Sequence, residues 1–337
     1  MRLRYGFLYN DTYDPYAVQF ISGDVNRTST SAALLAAGMF PIKEEYQAWD
    51  DELPWQPVPV HVDHRYSHTG STLMVLRDYC PSLRFVKQME EYYDIEKNWR
   101  LYIEYVTANA LAPSADLHSA FGVSCSLNIY APTNLTLPAW VNDTTKEQGV
   151  GFFWTVARLL NSVPQVARLG AGWLVGKIIR EFREAVDFNL SRKFVAHSTH
   201  GDNLMTAINV VAGEFPVYWP QWSSFISFEL HVLNGKQYVE VWRDSVDTEN
   251  GTDGQFIRVK IAGCSEPCPL DEFETITKNN WIPNDWRQEC LGSFAPDAPG
   301  NKAFNLANNQ QSSTRGTGRL IKRPTIHIDR LTVTDRP

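Results

Sequence analysis

A short β-rich run that ends at a histidine constrains this chain more than any other feature. Residues 193–198 form the run, His200 follows it, and a helical pattern comes next. In α/β enzymes, catalytic groups lie at the carboxyl ends of such strands. The pattern therefore predicts that His200 lies at the carboxyl end of a buried strand, where an α/β enzyme has its catalytic groups.

Several blocks of the sequence match one known protein family in the same order. Residues 198–204, Ser-Thr-His-Gly-Asp-Asn-Leu, resemble the catalytic block Ser-Ala-His-Asp-Thr-Thr-Leu of the histidine acid phosphatases. Residues 55–61, Trp-Gln-Pro-Val-Pro-Val-His, are nearly identical to the family's Trp-Gln-Pro-Ile-Pro-Val-His. Further matches lie at residues 3–13, 18–28, 134–140 and 264–270. The chain is identified as a member of this family by resemblance, which implies a mostly parallel three-layer α/β sandwich with an inserted helical cap domain.

The same resemblance divides the chain into a core, a cap and a tail. Residues 1–40 and 170–290 would form a discontinuous phosphatase-like core, and residues 41–169 a mainly helical cap. Residues 291–337 are predicted to be a mobile tail, because their first thirty residues are rich in Asn, Gln, Gly, Ser and Pro.

Two other segments carry predictions from their residues alone. The runs 227–232 and 237–242, joined by Leu-Asn-Gly-Lys, predict a β-hairpin. The glycines between residues 170 and 176 suggest a phosphate-binding loop, but their spacing fits neither the dinucleotide fingerprint nor the P-loop. The apolar residues around them predict a buried helix instead.

The resemblance implies a mechanism, but this chain retains few of the catalytic residues that the mechanism uses. In the family, a histidine attacks phosphorus, three arginines hold the phosphate oxygens, and an aspartate protonates the leaving group. The third arginine corresponds to Ile21 and the aspartate to Gly201. Only His200 remains of that catalytic set. Asp202, one residue along the chain from the expected position, is the candidate substitute acid.

The family's nucleophile and its other two arginines belong to a segment, Arg-His-Gly-x-Arg-x-Pro, that does not occur in these residues. The chain begins Met-Arg-Leu-Arg-Tyr-Gly-Phe, with neither the apolar region nor the cleavage site of a signal peptide. We interpret the sequence as N-terminally incomplete, with the family's first central strand missing. Its loss would leave two unpaired strand edges.

Two functional hypotheses follow. The first is a degenerate phosphatase, weak or inactive, that acts as a binding or structural glycoprotein. The alternative is an active acid phosphatase whose N-terminus is missing and whose substrate is a phosphomonoester. Neither hypothesis requires a cofactor or a metal, and a homodimer is one expected state because the family includes dimers.

For two further groups of residues, a structural role is a simpler explanation than a functional one. Arg27 matches a family arginine outside the phosphate shell, and we expect it to form a structural ion pair with an acid such as Asp24. The histidines His61, His64 and His68 have the spacing of metal ligands. They follow a proline-rich extended segment with no second ligand group, so a solvated loop is favoured and a metal site is a third hypothesis.

Cysteine and sequon usage indicates an oxidising compartment, so the complete protein is expected to be secreted or lysosomal. The Asn-x-Ser/Thr pattern of glycosylation occurs at Asn10, Asn26, Asn134, Asn142, Asn189 and Asn250. By resemblance, Cys80 would pair with Cys290 and Cys264 with Cys268, which leaves Cys125 outside both pairs.

Charge and hydropathy exclude two classes of partner. The net charge of −7 argues against nucleic-acid binding, because it implies no broad basic surface. No apolar run reaches the roughly 18 residues that a membrane-spanning helix needs.

Overall fold

Short strands alternate with helices along the chain. The computed structural model describes residues 1–9, 11–50, 52–53, 55–63, 80, 82–83, 89–130, 135–188, 191–213, 220, 222–244 and 256–291. The strands are β1 (Val18–Gly23), β2 (Val60–Asp63), β3 (Phe194–Ser198), β4 (Ile226–Leu233), β5 (Lys236–Asp244), β6 (Phe256–Val259) and β7 (Cys268–Pro269). The helices are α1 (Arg2–Tyr5), α2 (Asn26–Met39), α3 (Glu90–Asn98), α4 (Arg100–Asn109), α5 (Leu117–Tyr130), α6 (Asp143–Ser162), α7 (Pro164–Ala167), α8 (Trp173–Phe188), α9 (Gly201–Ala212), α10 (Leu270–Asn280) and α11 (Trp286–Leu291). The predicted tail lies outside the described residues, apart from residue 291.

A parallel sheet in the order β2-β1-β3 forms the centre of three layers. Alternate residues of a strand face opposite sides of a sheet. Phe20 of β1 accordingly packs against Met39 of α2 on one face. Its neighbour Ile21 packs against Leu174 of α8 on the other face. The predicted α/β fold with a parallel sheet is confirmed.

A second sheet is antiparallel and contains the predicted hairpin. The strands β4, β5 and β6 are neighbours in that order, and β7 pairs with β5. Asn234 and Gly235 connect β4 to β5, and both have a positive φ, of 52° and 75°. Positive φ at both central residues defines the two-residue turn whose twist matches a hairpin, and Asn-Gly is its preferred sequence.

The helices α3, α4, α5 and α6 share an apolar core between β2 and β3 along the chain. Phe121 and Phe153 stack with their ring centroids 4.9 Å apart, and Phe152 is fully buried beside Tyr102. These helices fall within residues 41–169, the range of the expected cap. The strand β2 also falls within that range, yet it pairs with β1. The division into core and cap stays a prediction.

The glycine-rich segment is helical, as its apolar pattern predicts. A π-helical turn, Arg168–Gly172, connects α7 to α8, and Leu169 and Ala171 are buried in it. A side chain on Gly172 would have no room, because a Cβ there would lie 2.1 Å from the carbonyl oxygen of Trp281. The glycine is therefore required by a close approach of two backbone segments.

Two disulfides join distant and local parts of the chain. Cys80 is bonded to Cys290 and Cys264 to Cys268, the pairs that the resemblance implies. Among the described residues, no helix combines the length and the apolar character needed to span a bilayer.

The side chain of Arg4 ties α1 to the second sheet. Its guanidinium donates two hydrogen bonds to Glu229, at 2.8 and 3.1 Å, and lies 4.3 Å from the centre of the Trp242 ring. Tyr5 donates a third hydrogen bond to Glu229 at 2.6 Å. Burial disfavours the ionised carboxylate, but these hydrogen bonds outweigh it and hold the pKa of Glu229 below its ordinary value.

We expect the substitution Arg4→Met to lower the free energy of unfolding by about 1–3 kcal/mol, because it leaves the half-buried carboxylate of Glu229 short of donors. Arg4→Lys should recover only part of the loss, since an ammonium cannot bond both carboxylate oxygens in the same way. Urea denaturation at neutral pH measures both variants. The control is Arg100→Met, which removes an exposed ion pair with Glu104 on α4 and should change little. Equal effects of Arg4→Met and Arg100→Met would contradict this account.

Candidate functional site

The carboxyl ends of β1 and β3 lie side by side, and a helix starts from each. Ser22 and Ser198 are register partners at these ends. The hydroxyl of Ser198 donates to the carbonyl of Thr28 at 2.8 Å, which fastens the end of β3 to α2. Thr28 in turn donates to the carbonyl of Gly23 at 2.8 Å. The starts of α2 and α9 are thereby held at the same edge of the sheet, where the sequence predicts the site.

His200 precedes the first residue of α9 and contacts Arg27 from α2. The Nη2 atom of Arg27 lies 3.2 Å from Nδ1 of His200. The other ring nitrogen, Nε2, is buried and has no hydrogen-bond partner among the described residues. Burial, and then the charge of Arg27, lower the pKa of His200 to about 4, although Asp202 opposes the shift. His200 is therefore a neutral imidazole above that pH.

Asp202 lies in the first turn of α9 and is hydrogen-bonded to the helical region between β2 and β3. The buried Asn161 of α6 donates from Nδ2 to Oδ1 of Asp202 at 2.8 Å. A carboxylate at this end of a helix is also stabilised by the helix dipole. The structure thus brings Asp202 near His200, but with one carboxylate oxygen already engaged.

Ile21 and Gly201, which the resemblance aligns with the family's arginine and acid, contribute no charge to this edge. Ile21 is only 9% exposed and lies in an apolar cluster with Leu174. Gly201 is the first residue of α9 and has no side chain.

His197, in β3 and three residues before His200, is a second unusual histidine. Both of its ring nitrogens are buried without a hydrogen-bond partner among the described residues, although the residue as a whole is half-buried. Burial, and then the charge of Lys177, lower its pKa to about 3. Neither the burial of the His197 ring nitrogens nor the contact of Arg27 with His200 was expected from the sequence. The position of Arg27, just after β1 at the start of α2, was the available signal for that contact.

The predicted modification and metal residues are only partly within the described chain. Asn26 and Asn142 are exposed, and the side-chain oxygen of Asn142 accepts from the backbone N–H of Thr145 at the start of α6. The other four sequon asparagines, Asn10, Asn134, Asn189 and Asn250, lie outside the described residues. His61 is exposed on β2, whereas His64 and His68 lie outside the described residues.

Within the part of the chain that the structure describes, one group of potential metal ligands lies on the second sheet. Nε2 of His231 is 3.0 Å from Oε2 of Glu229 and 3.7 Å from Oε2 of Glu240. Arg4 and Arg258 already pair with the two carboxylates. Because those arginines balance both charges, an ion-pair network explains the group.

Comparisons of the sequence with known proteins agree on one family, and a solved structure shares the fold. Residues 1–117 match the Histidine phosphatase superfamily (branch 2). The chain is 28% identical to prostatic acid phosphatase of Rattus norvegicus over 311 residues, which cover 87% of this chain and 76% of that protein. It is 24% identical to lysosomal acid phosphatase of Xenopus laevis, over 86% of this chain and 67% of that protein. Its fold is similar to that of the phytase from Citrobacter braakii, with a TM-score of 0.55 and 15% identity over 86% of this chain and 84% of that chain.

Proposed function

The chain belongs to the histidine acid phosphatase family, and we propose that it binds phosphate or a phosphomonoester beside His200 but hydrolyses phosphomonoesters weakly or not at all. The observation that carries this proposal is the pair of residues Ile21 and Gly201. They stand where the family has an arginine for the phosphate oxygens and an aspartate for the leaving group.

Ile21 removes electrostatic stabilisation from the transition state. In phosphoryl transfer, cationic groups around the phosphate oxygens supply much of the rate. An isoleucine packed against Leu174 offers only hydrocarbon at this position. Losing one such contact lowers turnover by about 100-fold to 1000-fold.

Gly201 removes the expected proton source for the leaving alkoxide. A positioned acid contributes about 100-fold to 10,000-fold to a rate. Asp202 is the nearest substitute in sequence, but its Oδ1 accepts the amide of Asn161. That hydrogen bond would have to break before the oxygen concerned could serve a leaving group elsewhere.

The proposal includes an oxidising, secreted or lysosomal location and N-glycosylation. Two disulfides and the exposed sequons at Asn26 and Asn142 support it. The relatives that carry prostatic and lysosomal names support the same location. A homodimer stays a prediction.

The second candidate is an active acid phosphatase in which Asp202 protonates the leaving group. The retention of His200 at the carboxyl end of β3 favours it. It also requires the nucleophile segment, which does not occur within these 337 residues. The assay must therefore use the full-length product of the native transcript.

The deciding experiment measures p-nitrophenyl phosphate hydrolysis at about pH 5, and binding of inorganic phosphate by calorimetry. We expect turnover at the level of the buffer, and phosphate binding that is lost in His200→Ala. The control is His118→Ala, which changes an exposed histidine on α5. Turnover that disappears in both His200→Ala and Asp202→Asn would establish the active phosphatase instead. The absence of both turnover and phosphate binding would refute the proposed function.

A further inference from the structure

The contact between Arg27 and His200 determines where a neutral imidazole carries its proton. Nη2 of Arg27 lies 3.2 Å from Nδ1 of His200. A guanidinium has five donors and no acceptor, and it stays protonated in proteins. The contact is therefore a hydrogen bond only if Nδ1 of His200 is the unprotonated acceptor. The proton of the neutral ring must then be on Nε2.

The resulting Nε2–H of His200 is a buried hydrogen-bond donor that lacks an acceptor among the described residues. Among the described residues, no hydrogen-bond partner reaches Nε2. Native structures leave few buried donors unpaired, so such a group calls for an explanation. An oxygen atom of a bound ligand would satisfy it.

The surroundings of His200 favour an anionic ligand that can reach the site. His200 immediately precedes α9, a helix of 12 residues whose amino-terminal end carries positive partial charge. Arg27 adds a full positive charge and is exposed. Residues 194–202 are all half-buried, so solvent reaches the strand end and the helix start.

We propose that Arg27 is a positioning residue: it holds His200 in the Nε2–H tautomer, so that the imidazole donates to an oxygen of phosphate or a phosphomonoester at the start of α9. The identity of the ligand rests on the proposed function. The tautomer does not, because it follows from the donor and acceptor inventory of the two side chains.

The charged groups around His200 preserve this tautomer at acid pH. Arg27 from α2 disfavours the doubly protonated ring, and Asp202 from α9 favours it. Burial acts in the same direction as Arg27 and is the larger cause, so the pKa of His200 falls to about 4. The neutral imidazole can thus donate from Nε2 to an anion at acid pH, down to about pH 4.

The first arm of the test reads the tautomer without any ligand. Nitrogen-15 NMR of the histidine-labelled full chain at about pH 6 should show His200 with Nδ1 unprotonated and Nε2 protonated. Arg27→Met should give a mixture of tautomers, and Arg27→Lys, which keeps a cationic donor, should restore part of the preference. Arg100→Met is the control, because it removes another exposed helical arginine. An unchanged tautomer in Arg27→Met, or a wild-type ring protonated on Nδ1, overturns the positioning role.

The second arm titrates inorganic phosphate in the same spectra. We expect the Nε2 signal of His200 to shift, and the affinity to fall about tenfold or more in Arg27→Met. Failure of the wild-type chain to bind phosphate would overturn the proposed function and the ligand half of this inference. The tautomer arm would still decide the role of Arg27, so the two failures are distinguishable.

Discussion

Acidification from pH 7 to about pH 4.5 is expected to lower the free energy of unfolding by about 5 kcal/mol through two histidines alone. His197 and His200 have pKa values of about 3 and about 4 in the folded chain, against about 6.5 in an unfolded chain. Between these limits the unfolded state binds more protons, so stability is fully present above about pH 6.5 and is lost as the pH falls towards the folded values. At about 1.4 kcal/mol per pH unit, two units below 6.5 correspond to about 2–3 kcal/mol for each histidine.

Urea denaturation across this pH range, on wild type and His197→Leu, isolates one of the two contributions. Leucine places no titrating group in the buried position, so the variant should lose about half of the histidine-dependent destabilisation. The variant His118→Leu, which replaces an exposed histidine, is the matched control and should keep the wild-type pH profile. Identical profiles for wild type and His197→Leu would show that His197 does not titrate as described. The comparison is specific to His197, because the carboxylates, which also titrate in acid, are the same in both proteins.

The substitution Gly172→Ala is expected to cost more than about 3 kcal/mol of stability. The added Cβ would lie 2.1 Å from the carbonyl oxygen of Trp281 and 2.9 Å from its carbon. Both are backbone atoms, so the overlap cannot be relieved by rotating a side chain. The π-helical turn must move away from the segment that follows α10, and the packing of α8 must move with it.

Gly122→Ala is the control, and its expected effect on stability has the opposite sign. Gly122 lies within α5, and an added Cβ there meets no heavy atom within 4 Å. An alanine in an exposed helix interior should stabilise by up to about 1 kcal/mol, because it restricts the unfolded chain and favours the helix. Thermal and urea denaturation of both variants measure the difference. If Gly172→Ala were as stable as wild type, the close approach to Trp281 would be wrong.

Much of the fold could be predicted, in part from short-range backbone preferences and in part from the family resemblance. The hairpin of β4 and β5 follows from Asn234-Gly235, whose residues tolerate the positive φ that the turn requires. The buried helix around Gly172 follows from apolar spacing, and the parallel sheet from the resemblance of ordered blocks. The family resemblance is confirmed by the comparisons.

The position of His200 in the fold was predictable, but its neighbours were not. The placement of His200 after β3 follows from a strand followed by a helix, which brings a residue to the sheet edge. The departures at Ile21 and Gly201 are visible in the residues themselves. The roles of His200 and Asp202 stay predictions.

The remaining features depend on residues that are far apart in the chain. Arg27 and His200 are separated by 173 positions, and Asn161 and Asp202 by 41. Periodicity and turn preferences act over a few residues, so they define strands, helices and the order of blocks. Hydrogen-bond partners, the burial of His197 and the shifted pKa values arise when distant segments exclude water together. Packing therefore set the protonation and orientation of the site, while local sequence set the elements that carry it.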